Sequence, residues 1–180
     1  MRKLIGVLFA ASMLVPAGVM IAAPVGAAAA LPTCTKLTGT VKYSPALPII
    51  GNKTVVTSTS TTSLKLTGCS GGGITSGTIA GTAKYVGNCT TLVVTPSKKP
   101  LVSTVKWSNK STSTLSTTTK ITSKTGVQPV LATLTSKVTA GLGKGHTTTV
   151  NVKATSPTGA CTKTPLGGYS LVNTGKFVTK

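Results

Sequence analysis

The sequence has no aspartate and no glutamate in 180 residues, against nineteen Lys plus Arg. Charged residues usually make up about a quarter of a soluble chain, with both signs present. Here they make up 11%, all cationic. Without carboxylate side chains the chain has no acidic general acid or base, no Ser-His-Asp relay, no oxygen cage for a hard cation and no internal salt bridge between side chains. Aromatics are also scarce, at 3%, and residues 31–180 contain no arginine. Those gaps argue against nucleic acid as a partner, because arginine forks onto phosphates and base edges and aromatics stack on single strands.

At the N-terminus, Arg2 and Lys3 precede an apolar run from Leu4 to about Ala23, and Ala28-Ala29-Ala30 follows. This is the layout of a secretory signal peptide. The predicted organisation is a signal peptide over 1–30 and a single secreted β-rich domain over 31–180, with no membrane span after cleavage. An uncleaved anchor is the alternative, since the apolar run exceeds the roughly 7 to 15 residues of an ordinary signal core. Pro16, Gly18 and the alanine tail favour removal.

Four cysteines, Cys34, Cys69, Cys89 and Cys161, predict two disulfides in an exported chain. A zinc site would need paired C-x-x-C spacing, which is absent, and no metal or cofactor is expected. Cys34 precedes the first expected strand and Cys69 ends the second, so antiparallel pairing of those strands sets the two side by side. The expected bonds are Cys34–Cys69 and Cys89–Cys161.

Threonine and serine dominate residues 31–180, and glycine and proline punctuate them, which is strand composition. Apolar residues alternate within each stretch: Leu37, Val41 and Tyr43; Leu64 and Leu66; Ile79, Ala83 and Tyr85; Val105 and Trp107; Val150, Val152 and Ala154. Period two puts each set on one face of a strand. Strands are expected at 36–43, 54–67, 74–86, 90–95, 101–108, 112–122, 128–139, 147–155 and 169–178. The threonine- and serine-rich stretches 57–63 and 111–119 read as extended strand because Val55, Leu64, Leu115 and Ile121 flank or interrupt them. The expected fold is all-β, an antiparallel sandwich or barrel of about nine strands carrying two disulfides.

Lysines take the opposite parity. Lys42, Lys65, Lys106, Lys137 and Lys153 each sit beside an inward residue, which points them to solvent as candidate polyanion-binding groups. Removal of Arg2 and Lys3 with the leader would leave a charge near +17. The expected function is a non-enzymatic basic domain, secreted and associated electrostatically with an anionic envelope surface or extracellular polymer. The alternative is a structural or protein-interaction domain whose basic surface serves solubility alone.

The layout of an export signal, an early Cys34, Gly68-Cys69, Asn88-Cys89, the Val105-Lys106-Trp107 strand and a late Cys161 resembles a set of small secreted actinobacterial proteins with no assigned function. The resemblance implies a β-rich fold and an extracellular compartment. Those proteins usually carry some acidic residues, and this chain departs from them there.

Three further patterns tempt a catalytic or binding reading. Ser103-Thr104-Val105-Lys106 and Lys124-Thr125-Gly126 match two boxes of the serine β-lactamases, but on a strand an offset of three puts Ser103 and Lys106 on opposite faces. His146, the one histidine, follows Gly141-Leu142-Gly143-Lys144-Gly145. Its glycine spacing is not that of a phosphate-binding loop, and a half-exposed residue beside a hairpin turn is expected. Trp107, Tyr43, Tyr85 and Phe177 occupy the inward parity, so core packing is expected of them before a sugar-stacking platform.

Overall fold

The computed structural model describes residues 31–90, 100–125, 128–158 and 161–180. The expected signal peptide, most of the expected 90–95 strand and Gly126 lie outside the described residues. The strands are β1 (Lys36–Leu47), β2 (Val56–Thr67), β3 (Ser76–Gly87), β4 (Leu101–Trp107), β5 (Thr112–Thr125), β6 (Gln128–Gly141), β7 (Thr147–Thr158), β8 (Leu166–Asn173) and β9 (Val178–Thr179).

Each of the first eight strands pairs antiparallel with its neighbours in sequence, and β1 also pairs with β8. The result is a closed eight-stranded barrel. Closure rests on Thr38↔Val172 through Lys42↔Gly168, between segments more than a hundred residues apart. β9 is an extra two-residue strand on β7, at Thr148 and Thr149. The sequence pattern predicts one continuous strand over 169–178. Instead the Asn173 side chain ends β8: its Oδ1 accepts from Leu37 N–H, and its Nδ2 donates to the Thr35 and Gly175 carbonyls. These bonds satisfy backbone groups of the incoming chain where β8 turns away.

The inward parity builds the core as expected, with Leu37, Leu64, Leu66, Val105, Val138 and Val152 all buried. The threonine-rich stretches are strand rather than low-complexity coil, because their inward positions Ser58, Thr62, Ser113 and Leu115 are buried in the barrel. Both disulfides form as expected. Cys34–Cys69 ties the approach to β1 to the end of β2, and Cys89–Cys161 ties the segments after β3 and before β8.

One end of the barrel is closed by its own side chains. Trp107 lies over Gly77 of the neighbouring β3, where a Cβ would come within 2.7 Å of the indole ring. Trp107 Nε1 donates to Ser113 Oγ (2.8 Å), and Ser113 Oγ donates to the Leu142 carbonyl (2.7 Å) in the turn between β6 and β7. Leu31 packs on Gly143 in that turn, at φ +73°, and a side chain there would collide with it. At the opposite end Leu47, Leu166 and the Cys89–Cys161 bridge form a fully buried cluster.

Candidate functional site

Two surfaces have a composition that packing alone does not explain. The first is the outer face. All five singled-out lysines are exposed, as their parity requires. Following the register around the barrel gives Lys106↔Thr78↔Lys65↔Thr38↔Val172↔Lys153, one line across β4, β3, β2, β1, β8 and β7. Neighbouring strands lie about 4.8 Å apart, so the backbones of Lys65 and Lys106 are separated by about 10 Å and those of Lys65 and Lys153 by about 14 Å. These three therefore form a row. Lys42 stands four residues along β1 from Thr38, and Lys137 six residues along β6 from Leu131, the partner of Lys153. The remaining two candidates are thus displaced by about 13 and 20 Å and do not join it.

The row's spacing is close to the Debye length at physiological salt, about 8 Å, so repulsion between its members is mild and each charge acts on solvent nearly independently. Thr78, Thr38 and Val172 fill the intervening positions. This hydroxyl and ammonium face is the inverse of a lipid-spanning barrel, which carries an apolar band outside. Among the described residues no helix is long and apolar enough to cross a membrane.

The second surface is internal. A cavity of about 470 Å³ runs inside the barrel. Tyr43, Tyr85 and Trp107 line it from inward positions of β1, β3 and β4, as expected, whereas Phe177 lines it from the segment between β8 and β9 and not from a strand. Tyr43 sits between the other two tyrosines, with ring centroids 6.3 Å from Tyr85 and 6.2 Å from Tyr169 at tilted angles. Burial, then the neighbouring Tyr169, pushes the Tyr43 hydroxyl well above the ordinary tyrosine range, and burial raises Tyr169 too. Both therefore stay neutral.

No family model, curated protein or solved structure matches this chain.

What the site can do therefore rests on its own chemistry. Ser103 is buried inside the barrel and Lys106 is exposed outside it, so the S-x-x-K match cannot assemble a nucleophile and its base. Among the described residues no three His or Cys side chains cluster as a metal site. His146 is half-buried beside the β6–β7 turn, its N–H donating to the Gly143 carbonyl. The Asn88-Cys89-Thr90 glycosylation sequon is closed to modification in the folded state, because Asn88 is buried and its Nδ2 donates to the Asn52 carbonyl.

Proposed function

We propose that this is a non-enzymatic binding domain, exported from the cell, whose lysine-bearing outer face holds it on anionic polymers of the envelope or extracellular matrix. The observation that carries the reading is the Lys65–Lys106–Lys153 row on a surface that has no carboxylate side chain to oppose it. A flexible chain of repeated negative charge, such as a phosphate polymer or an acidic glycan, satisfies spaced ammonium groups without demanding exact geometry. Lysine, a hydrated point charge on a long stem, suits that diffuse attraction better than the bidentate recognition that arginine provides.

Two disulfides fit an oxidising compartment, where such polymers are found. The competing reading, a protein-interaction domain working through a sheet edge, has less to build on, because each of the eight barrel strands has a neighbour on both sides, and among the described residues the stretches that extend past their pairing with β4 are 82–87 of β3 and 118–125 of β5. Fractionation of the producing cells separates the two. The basic-surface reading expects protein that sediments with the envelope in low salt and is released by a high-salt wash. Protein that is free in the medium at low salt, or that stays bound through the wash, would overturn it.

A further inference from the structure

Packing inside the barrel is uneven along its axis. Near the Cys34–Cys69 end the register brings bulky side chains to one level, Leu37↔Leu66↔Gly77↔Trp107, with the indole filling the space above the glycine. The next inward level holds Leu64↔Ile79↔Val105. Further along, small residues take over: Thr62↔Gly81↔Ser103, then Ser60↔Ala83, and on the far wall Thr117↔Ser136↔Thr148. The cavity of about 470 Å³ is lined by this belt and by the tyrosines beyond it. Protein interiors are ordinarily close-packed, with few voids larger than a water molecule. A space of this size falls in the range of small-molecule pockets, and eight strands are just enough either to be filled by side chains or to hold one ligand.

We propose that the barrel binds one uncharged, predominantly apolar small molecule in this belt, with its polar end toward the tyrosines. Three observations set the chemistry. Four hydroxyls of the belt are spent on the protein itself: Ser60 Oγ donates to the Ala83 carbonyl, Thr117 Oγ1 bonds Ser136 Oγ at 2.8 Å, and Thr148 Oγ1 bonds Thr179 Oγ1. Among the described residues Lys84 is the only charged one along the lining, and it takes the exposed parity of β3. A charged ligand would therefore lose its hydration inside without gaining a partner. The tyrosine hydroxyls, neutral because they are buried, supply the hydrogen-bonding groups at one end.

Entry is at the end away from Cys34–Cys69 and on its β4 to β7 side, since the buried Leu47 and Leu166 cluster occupies the β1 and β8 side of that end. The Cys34–Cys69 end is sealed by buried Leu37, Leu66 and Trp107 with Pro32 above them, whereas inward Leu101, Thr117, Ala132 and Ala154 are half-exposed.

Trp107, the one tryptophan, lines the cavity and reports on it directly. The test is titration of the disulfide-intact protein with N-phenyl-1-naphthylamine, an uncharged apolar fluorophore, in about 0.5 M salt, where the Debye length is about 4 Å and the lysine surface is screened. The expected result is saturable one-to-one binding with energy transfer from Trp107. Ala132→Phe and Ala154→Leu, which add bulk to the cavity lining, should each weaken binding at least about ten-fold, the scale of about 1.4 kcal/mol. Ala80→Phe adds similar bulk outside on β3 and should leave binding unchanged. Each variant is read only with native far-UV circular dichroism, and either inward variant suffices. Absence of saturable uptake by the wild-type protein, or equal affinity in the inward and outward variants, would overturn the proposal. Either result leaves the polyanion reading untouched, since the salt that screens the exterior does not reach the interior.

Discussion

Replacing Ser113 by alanine should destabilise the barrel far more than loss of one hydroxyl on a threonine- and serine-rich strand would suggest. Ser113 is 1% exposed, and its Oγ both accepts from Trp107 Nε1 and donates to the Leu142 carbonyl. The substitution orphans two groups, one of them on an indole only 6% exposed. Each buried polar group left without a partner costs about 1 to 3 kcal/mol, so a loss of about 3 kcal/mol is expected after some relaxation. For a domain of this size that is a fall in Tm of about 10 °C. Thermal melts followed by circular dichroism measure it, and Trp107 emission shows whether the indole has gained access to water. A double-mutant cycle sharpens the test. In a Trp107→Phe background the indole donor is already gone, so Ser113→Ala should cost about half as much, the Leu142 carbonyl alone being stranded. A cost below about 1 kcal/mol in the wild-type background, or the same cost in both backgrounds, would refute the relay.

Two further predictions concern pH. Tyr43 and Tyr169 are held neutral by burial, so their folded-state pKa values lie above those in the unfolded chain. The stability they contribute is complete below the unfolded value near 10 and is lost as pH rises beyond it. Phenolate absorbance at 295 nm, followed at high salt so that loss of lysine charge has little effect, should therefore show these two tyrosines ionising only with unfolding. Smooth titration of all three tyrosines near pH 10 in a folded protein would contradict their burial. On the acid side no carboxylate side chain exists to be protonated, so Tm should stay nearly constant between about pH 3 and 6 while rising with added salt. A fall of more than about 10 °C on acidification at fixed salt would contradict that account.

The strands were legible because period-two patterning is strong where one face is buried and the other wet. Leu64 and Leu66 against Lys65, or Val105 and Trp107 against Lys106, leave only one register that buries the apolar set. The choice between sandwich and barrel was not legible. Both need the same alternation, and the deciding contact, Thr38 with Val172, joins two exterior positions whose identities carry no pairing signal. The break at Asn173 was also hidden, since its side-chain bonds to Thr35 and Leu37 depend on the barrel already being closed. Outward orientation of the lysines followed from parity, but the Lys65–Lys106–Lys153 row needed the register. The cavity escaped sequence reasoning because Ser60, Thr62, Ser103 and Thr117 look like ordinary members of threonine- and serine-rich strands. A signal was present: they hold the inward parity where Leu64 and Val105 stand two residues away.

The central claim, a barrel held on anionic polymers by its lysine exterior, is tested most directly by titrating the protein with inorganic polyphosphate at a series of salt concentrations. The account predicts affinity that falls steeply and linearly in a double-logarithmic plot, with a shallower slope for the Lys65→Gln/Lys106→Gln/Lys153→Gln variant. Between about 50 and 500 mM salt the Debye length drops from about 14 to 4 Å, so affinity that holds constant across that range, or a triple variant with an unchanged slope, would contradict it.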